Sequence, residues 1–251
     1  PDDAVLLPDL HLTPSQLAKY WSSDIPLMAL IASDCHSSWS RWSVIAPATG
    51  ERLTCNTSEA LTLLSNSIEQ KGNSTLLPNW IGFISYELGY LVEPSAGELK
   101  ESAWPLIDMM WCEQAFVHDN QTNQWWSIGG LQAPGVFELP FHTSCKSTAL
   151  KDSLGDKSFL DAVEKTIEYI HAGDIFQANI TRRFSSSVSG NIRRNALKML
   201  DDPGGWFGAW FEFPSDGRYL LSMSPELFLR VDGESRTILT RPMKGTRAAE
   251  D

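Results

Sequence analysis

The sequence predicts an α+β fold, with layered antiparallel β-sheets and flanking helices. Three observations carry that prediction. Apolar, β-branched and aromatic runs recur along the chain, and several neighbouring runs are separated only by short turn signals, the pattern of antiparallel hairpins. Other segments open on helix caps and close on glycine. The chain has 251 residues, 42% hydrophobic and 20% charged, enough for one large core or two small ones.

Taken in order, Thr13-Pro14-Ser15-Gln16 opens the first helix. Thr13 caps it, Pro14 suits the first helical position, and Gln16 closes a capping box. The helix is expected to reach about Trp21. Pro26 to Ala32 is a continuous apolar run and reads as a buried strand. Trp39 to Ala46 alternates and reads as the second strand, ended by Pro47 and Gly50. Thr57 caps a helix over 58–70, with Ala60, Leu61, Leu64 and Ile68 on its inner face and Gly72 at its stop. Trp80 to Tyr90 reads as a strand entering a short helix, with Gly82 and Gly89 assigned to close backbone approach. Trp104 to Trp111 resumes the sheet, and Gln114–Val117 pairs with Gln124–Ile128 across the turn from Asp119 to Asn123.

Residues 129–157 are rich in Gly, Pro, Ser and Thr without periodicity and read as a linker or surface excursion. Around it the chain divides into a region over 1–150 and another over 151–251. Ser158 is expected to cap the next helix, with Asp161 closing the capping box and Gly173 stopping it. Phe159, Ala162, Val163, Thr166, Ile167 and Ile170 make its inner face. Asp174 to Phe184 reads as a strand, 191–200 as a short helix, and Asp202 to Gly205 as a turn. Trp206 to Phe213 is a strand aromatic on both faces, and Tyr219 to Met223 pairs back to it across Ser215-Asp216-Gly217.

The chemistry sits in the last hairpin. Ser222 to Val231 and Thr237 to Thr246 flank the turn signal Asp232-Gly233-Glu234-Ser235. Glu226 stands after Pro225 at one end, and Lys244 stands before Gly245 at the other. Strands of about seven residues at about 3.3 Å rise bring the two ends together. A carboxyl and an amine at one end of a sheet can serve as proton donor and nucleophile. Residues of these types at hairpin ends also form ordinary solvated pairs. Here Arg241-Pro242 fixes the backbone before the lysine and Gly245 permits a tight turn after it, which is a rigid mount.

Composition narrows the partners. A net charge of −11 argues against nucleic acid and anionic membranes, and leaves room for a small anionic substrate at a local basic site. The four cysteines, Cys35, Cys55, Cys112 and Cys145, are scattered and read as free thiols in a reducing compartment. No apolar run approaches the roughly 20 residues of a membrane span. The acidic opening Pro1-Asp2-Asp3 lacks a signal-peptide pattern, so a cytoplasmic location is expected. The five histidines show no metal-ligand spacing.

Ser-Met-Ser-Pro-Glu over 222–226 and Thr-Arg-Pro-Met-Lys-Gly-Thr over 240–246 together resemble the chorismate-utilising enzymes: anthranilate, aminodeoxychorismate, isochorismate and salicylate synthases. The two motifs in this order are specific; either alone is weak. The segments Gly82–Gly89, Trp104–Met109 and Gly173–Ile180 are similar to further family segments. Lys244 resembles the lysine of aminodeoxychorismate synthase component I, where anthranilate synthase has alanine. The resemblance covers most of this chain but about the N-terminal half of a typical member, so a fragment, inactive alone, is expected.

The resemblance implies that Lys244 attacks C2 of chorismate while Glu226 protonates the departing C4 hydroxyl. Ammonia from a glutamine amidotransferase partner then adds at C4. The product is 4-amino-4-deoxychorismate, for p-aminobenzoate and folate synthesis. Gln177, Gly245 and Thr246 are the implied substrate contacts. The Gln177 amide cannot be a general base for water, which fits amination. The family's Mg²⁺ is held by acidic residues well downstream, so no metal ligand is expected in this chain. A tryptophan pocket is implied at Ser33, Trp39, Ser40, Arg41, Trp42, Asn179, Trp206, Phe207 and Gly208. Trp39 and Trp42 are bulkier than the usual residues, and Trp206 departs from the family's Pro-(Phe/Tyr) pair. The alternatives are anthranilate synthase component I, against which Lys244 counts, and a non-catalytic tryptophan-binding or scaffold module that docks an amidotransferase.

Overall fold

A computed structural model describes residues 4–32, 39–71, 79–132, 145–201 and 206–242. The first elements are β1 (Val5–Leu6), α1 (Pro14–Lys19), β2 (Leu27–Ala32), β3 (Trp42–Pro47), β4 (Arg52–Cys55), α2 (Ala60–Lys71), β5 (Trp80–Ile84) and α3 (Gly89–Val92). Next come β6 (Ile107–Trp111), β7 (Ala115–Asp119), β8 (Gln124–Ile128), β9 (Lys146–Ser147), β10 (Lys151–Asp152) and α4 (Asp156–Ala172). The last are β11 (Phe184–Ser185), β12 (Val188–Ser189), α5 (Ile192–Met199), β13 (Phe207–Phe213), β14 (Arg218–Ser224), β15 (Leu227–Asp232) and β16 (Thr237–Arg241). They form two compact units interleaved along the chain, 1–140 with 196–251 and 141–195, rather than two segments meeting at 150.

The first unit holds a seven-stranded sheet in the order β1-β8-β7-β3-β2-β13-β14 and a three-stranded sheet in the order β4-β6-β5. Every pairing is antiparallel. Period-two alternation sorts the large sheet's side chains. Ala29, Ile31, Ile45, Phe116, Trp125 and Trp210 pack with Leu17 and Ala18 of α1 and Ala196, Leu197 and Leu200 at the end of α5. Met28, Val44, Ala46, Val117, Ala209, Phe211 and Phe213 take the other face and meet Ile81 and Met110 of the small sheet. Ile107, Cys55, Ala60 and Leu88 cover that sheet's far side with α2 and the turn before α3. The layers are therefore helix, sheet, sheet, helix, the α+β layering that the sequence predicts.

The expected α1 capping box is present, with Gln16 N–H on Thr13 Oγ1 and Thr13 N–H on Gln16 Oε1. Gly82 packs as expected: a Cβ there would stand 2.0 Å from the Asp108 carbonyl oxygen. Gly89 faces open space, so its assignment to close approach is corrected. In α2, Ala60 is buried and Leu64 packs half-buried against the same cluster, as expected, while Leu61 and Ile68 are exposed. The run read as one strand over 222–231 breaks at Pro225, between β14 and β15.

In the second unit, the supposed linker contributes β9 and β10, which pair with β12 and β11. Helix α4 starts two residues before Ser158, on Gly155, with no side-chain cap; Gly173 ends it in the left-handed conformation at φ 81°. Its expected inner face is half-buried at Phe159, Ala162, Val163 and Thr166, while Ile167 and Ile170 are exposed. The segment 174–183 joins no ladder among the described residues, which corrects the strand read there. Arg182 pairs with Asp152 and Asp156, its guanidinium 5.1 Å and 5.2 Å from the Phe159 and Phe184 rings.

Candidate active-site hairpin and aromatic cluster

The β15–β16 hairpin is closed at its turn by Asp232, whose carboxylate accepts the backbone N–H of Glu234 and of Ser235, each at 3.0 Å. This aspartate turn is the local reason the strands reverse where the sequence says they should. The register is Asp232↔Thr237, Val231↔Ile238 and Arg230↔Leu239, then shifts before Leu227↔Arg241. Glu226 therefore stands at the open end beside the strand that leads through Pro242 towards Lys244. The bend before it is held by Ser224, whose hydroxyl donates to the Glu226 carbonyl at 3.1 Å and accepts its N–H at 3.3 Å. Glu226 is exposed. Lys244, Gly245 and Thr246 lie outside the described residues, as does Ser33.

A second group of candidates converges at one end of the large sheet. Trp39 packs on Trp206 with centroids 4.5 Å apart and on Phe207 at 5.9 Å. Buried Ser40 donates to the Trp206 carbonyl at 2.6 Å. Gly208 is tightly enclosed, since a Cβ there would meet Leu200 Cδ2 at 2.8 Å and the Ile31 carbonyl at 3.1 Å. Trp42 lies 6.1 Å from Trp126 and carries the Arg41 guanidinium at 4.6 Å. Arg41 is engaged by Asp119 through both carboxylate oxygens, Nε donating to Oδ1 at 2.8 Å. Asp119 is 1% exposed and also accepts Gln121 N–H at 3.0 Å and the Thr122 hydroxyl at 2.9 Å. The charge-assisted bonds from Arg41 hold its carboxyl well below the usual range, at about 2.

Two residues of this cluster were not singled out in the sequence as site residues: Asp119, which reads only as a turn residue, and Arg241, which reads as a brace before the lysine. The Arg241 guanidinium lies 4.2 Å from the Trp39 ring centroid. No sequence signal could have paired residues so far apart. Gln177 and Asn179 are exposed in the second unit, on the segment without a ladder.

Other polar contacts among the described residues tie elements of the fold together. Arg52 engages Asp108 through both carboxylate oxygens, at 2.7 Å and 2.6 Å, and reaches Asp216 at 2.6 Å and Ser215, which ties the small sheet to the β13–β14 turn. His118 lies between Asn120 and Asn123, and burial lowers its pKa. Burial pushes the Cys112 thiol up to about 12, which makes it unreactive. Among the described residues no three His, Cys, Asp or Glu side chains come together to hold a metal ion, so they do not fit a Mg²⁺ site. No described helix is long and apolar enough to cross a membrane.

Known proteins extend these observations. Residues 30–251 match the sequence profile of chorismate binding enzymes. The chain is 28% identical over 178 residues to anthranilate synthase component 1 of Saccharolobus solfataricus, covering 66% of this chain and 38% of that protein. It is 27% identical over 192 residues to aminodeoxychorismate synthase component 1 of Bacillus subtilis, covering 67% and 39%. The fold resembles anthranilate synthase component I of Streptococcus pneumoniae TIGR4, with a TM-score of 0.60 at 20% identity, over 79% of this chain and 53% of that one. The chain thus spans under two fifths of the length of those two curated relatives. With a profile match over most of its residues and this sheet layering, the chain belongs to the chorismate-binding enzyme family.

Proposed function

We propose that the protein carrying this chain aminates chorismate to 4-amino-4-deoxychorismate, as an aminodeoxychorismate synthase component I. The observation that supports the reading is the hairpin register, whose last pair, Leu227↔Arg241, lies next in sequence to Glu226 on one strand and three residues before Lys244 on the other. The Lys244 amine adds to C2 of chorismate. Both ring double bonds shift, C1=C2 to C1=C6 and C5=C6 to C4=C5, and the C4 hydroxyl departs as water, taking its proton from Glu226. Ammonia then adds at C4, both double bonds shift back, and the Lys244 amine leaves C2. Hydroxide is a poor leaving group at neutral pH, so the proton from Glu226 is required. A lysine amine titrates near 10.4 in water, so the site must deliver it neutral, by desolvation or proton transfer. A glutamine amidotransferase partner supplies the ammonia in this reading. Magnesium is included in the assay because the sequence resemblance implies it.

The test uses the protein as its coding sequence gives it, with chorismate, magnesium and ammonium. Product appears as 4-amino-4-deoxychorismate by mass spectrometry, and Lys244→Ala lowers its rate by about 10²-fold or more even with excess ammonium. Anthranilate as product would replace this reading with the anthranilate synthase one. A tryptophan-binding role for the aromatic cluster requires Trp39 to leave Trp206 and Phe207. Calorimetric titration with tryptophan checks it, and binding without turnover would favour a non-catalytic module.

A further inference from the structure

We propose that Trp39 is a positioning residue for the open end of the β15–β16 hairpin, acting through Arg241 and without touching substrate. The proposal rests on the amination reading above, because that reading places Glu226 at the same end.

The hairpin cannot hold this end by itself. All of β16 is exposed, as is β15 beyond Leu227, so little packing fixes either strand. The register shift between Leu227 and Arg230 detaches the Leu227↔Arg241 pair from the regular ladder that the Asp232 turn anchors. An irregular end of this kind needs an outside support to keep one position. Arg241 has one: its guanidinium lies 4.2 Å from the Trp39 ring centroid. A cation over an aromatic face is a directional contact, strongest on the indole.

Trp39 is in turn well fixed. Its ring packs on Trp206 and Phe207, Ser40 binds the Trp206 carbonyl, and Asp119 clamps Arg41. Phe207 opens β13, which lies between β2 and β14 in the large sheet. A continuous path of contacts therefore runs from a buried strand, through one indole, to the strand end facing Glu226. Sliding Arg241 off the ring would shift that end relative to Glu226, and small misplacements of an acid and its nucleophile cost rate far more than binding.

A double-mutant cycle in the full protein tests this. Trp39→Leu and Arg241→Gln are each expected to lower kcat about tenfold with KM for chorismate within about twofold. The double variant is expected to fall no further than either single one, because the two act in series. Trp39→Phe, which keeps a ring, should recover most of the loss. Amide hydrogen exchange at Leu239–Arg241 should quicken in Trp39→Leu but not in Trp39→Phe, a readout that needs no turnover. Arg241 is exposed, so its truncation leaves the core intact even if Trp39→Leu folds poorly. Multiplying losses in the double variant, or unchanged exchange in Trp39→Leu and Arg241→Gln, would overturn the proposal. Absence of product from the wild type would sink the amination reading instead, and the exchange measurement would still decide whether Trp39 holds the hairpin.

Discussion

Two hairpins follow one another in this chain and meet opposite fates. In β13–β14, every residue of β13 after Phe207 is buried. In β15–β16, Phe228 is 81% exposed, Val231 68% and Ile238 71%. Both are rich in apolar residues, both turn tightly, and both are antiparallel. The difference lies in their neighbours. β13 is bonded to β2 and β14 and covered on both faces, whereas β15 and β16 are bonded only to each other among the described residues. An apolar alternation makes a strand, but the neighbours decide whether its side chains leave water. The rigid hairpin serves as a wall, and the open one carries the candidate chemistry at its end.

Substitutions can break that comparison, starting with the largest effect. Phe213→Ala removes a fully buried ring from β13 and should destabilise the first unit by on the order of 4 kcal/mol, read from the denaturant midpoint. A loss as small as that of a surface change would show that the wall is not tightly packed. Asp108→Ala leaves the Arg52 guanidinium without its buried partner, at a cost of about 3 kcal/mol. That cost tests whether the tie between small sheet and β13–β14 turn matters as much as the apolar contacts beside it.

The Arg41–Asp119 clamp has a pH signature. Its carboxyl titrates at about 2 in the folded chain, below the usual value near 3.9. The unfolded chain binds the proton first as pH falls. The clamp's stabilisation is therefore complete above pH ~4 and lost between about pH 4 and 2. Arg41 is 35% exposed, so solvent screening keeps the contribution small. Asp119→Asn should remove that contribution at neutral pH and flatten stability across the acid window, as followed by tryptophan fluorescence in denaturant. A mutant with the wild-type acid profile would place the titration elsewhere. The smallest effect should come from Phe228→Ser, within about 0.5 kcal/mol of wild type, because its ring is already in water. A loss near that of Phe213→Ala would mean the open hairpin is covered in solution.

Much of this was legible in local sequence, and the failures share a cause. The capping box at Thr13 and the aspartate turn at Asp232 are local hydrogen-bonding devices, and both stand where the residues say. The α4 cap does not: Gly155 starts the helix before Ser158, because a capping residue is only an option for the backbone. Gly82 and Gly89 read alike in sequence, yet only Gly82 faces another strand's carbonyl. The candidate hairpin was legible because its residues are consecutive. The partners Arg41 with Asp119 and Trp39 with Arg241 are created by sheet order, which no local pattern encodes.

Sheet order also governs how the chain must be made. β2 pairs with β3 on one side, but its other edge waits for β13, whose last residue is Phe213. The helix end that covers the same core, with Leu197 and Leu200, also comes late. Between synthesis of Pro47 and Phe213 a ribosome adding roughly 5–20 residues per second takes roughly 10–30 s. Throughout that interval the Leu27–Ala32 edge is open to pairing with another strand. Contacts this distant in sequence also slow the closing step itself. Production of the chain should therefore be limited by what happens to a half-built sheet during synthesis, before any finished hairpin can be tested.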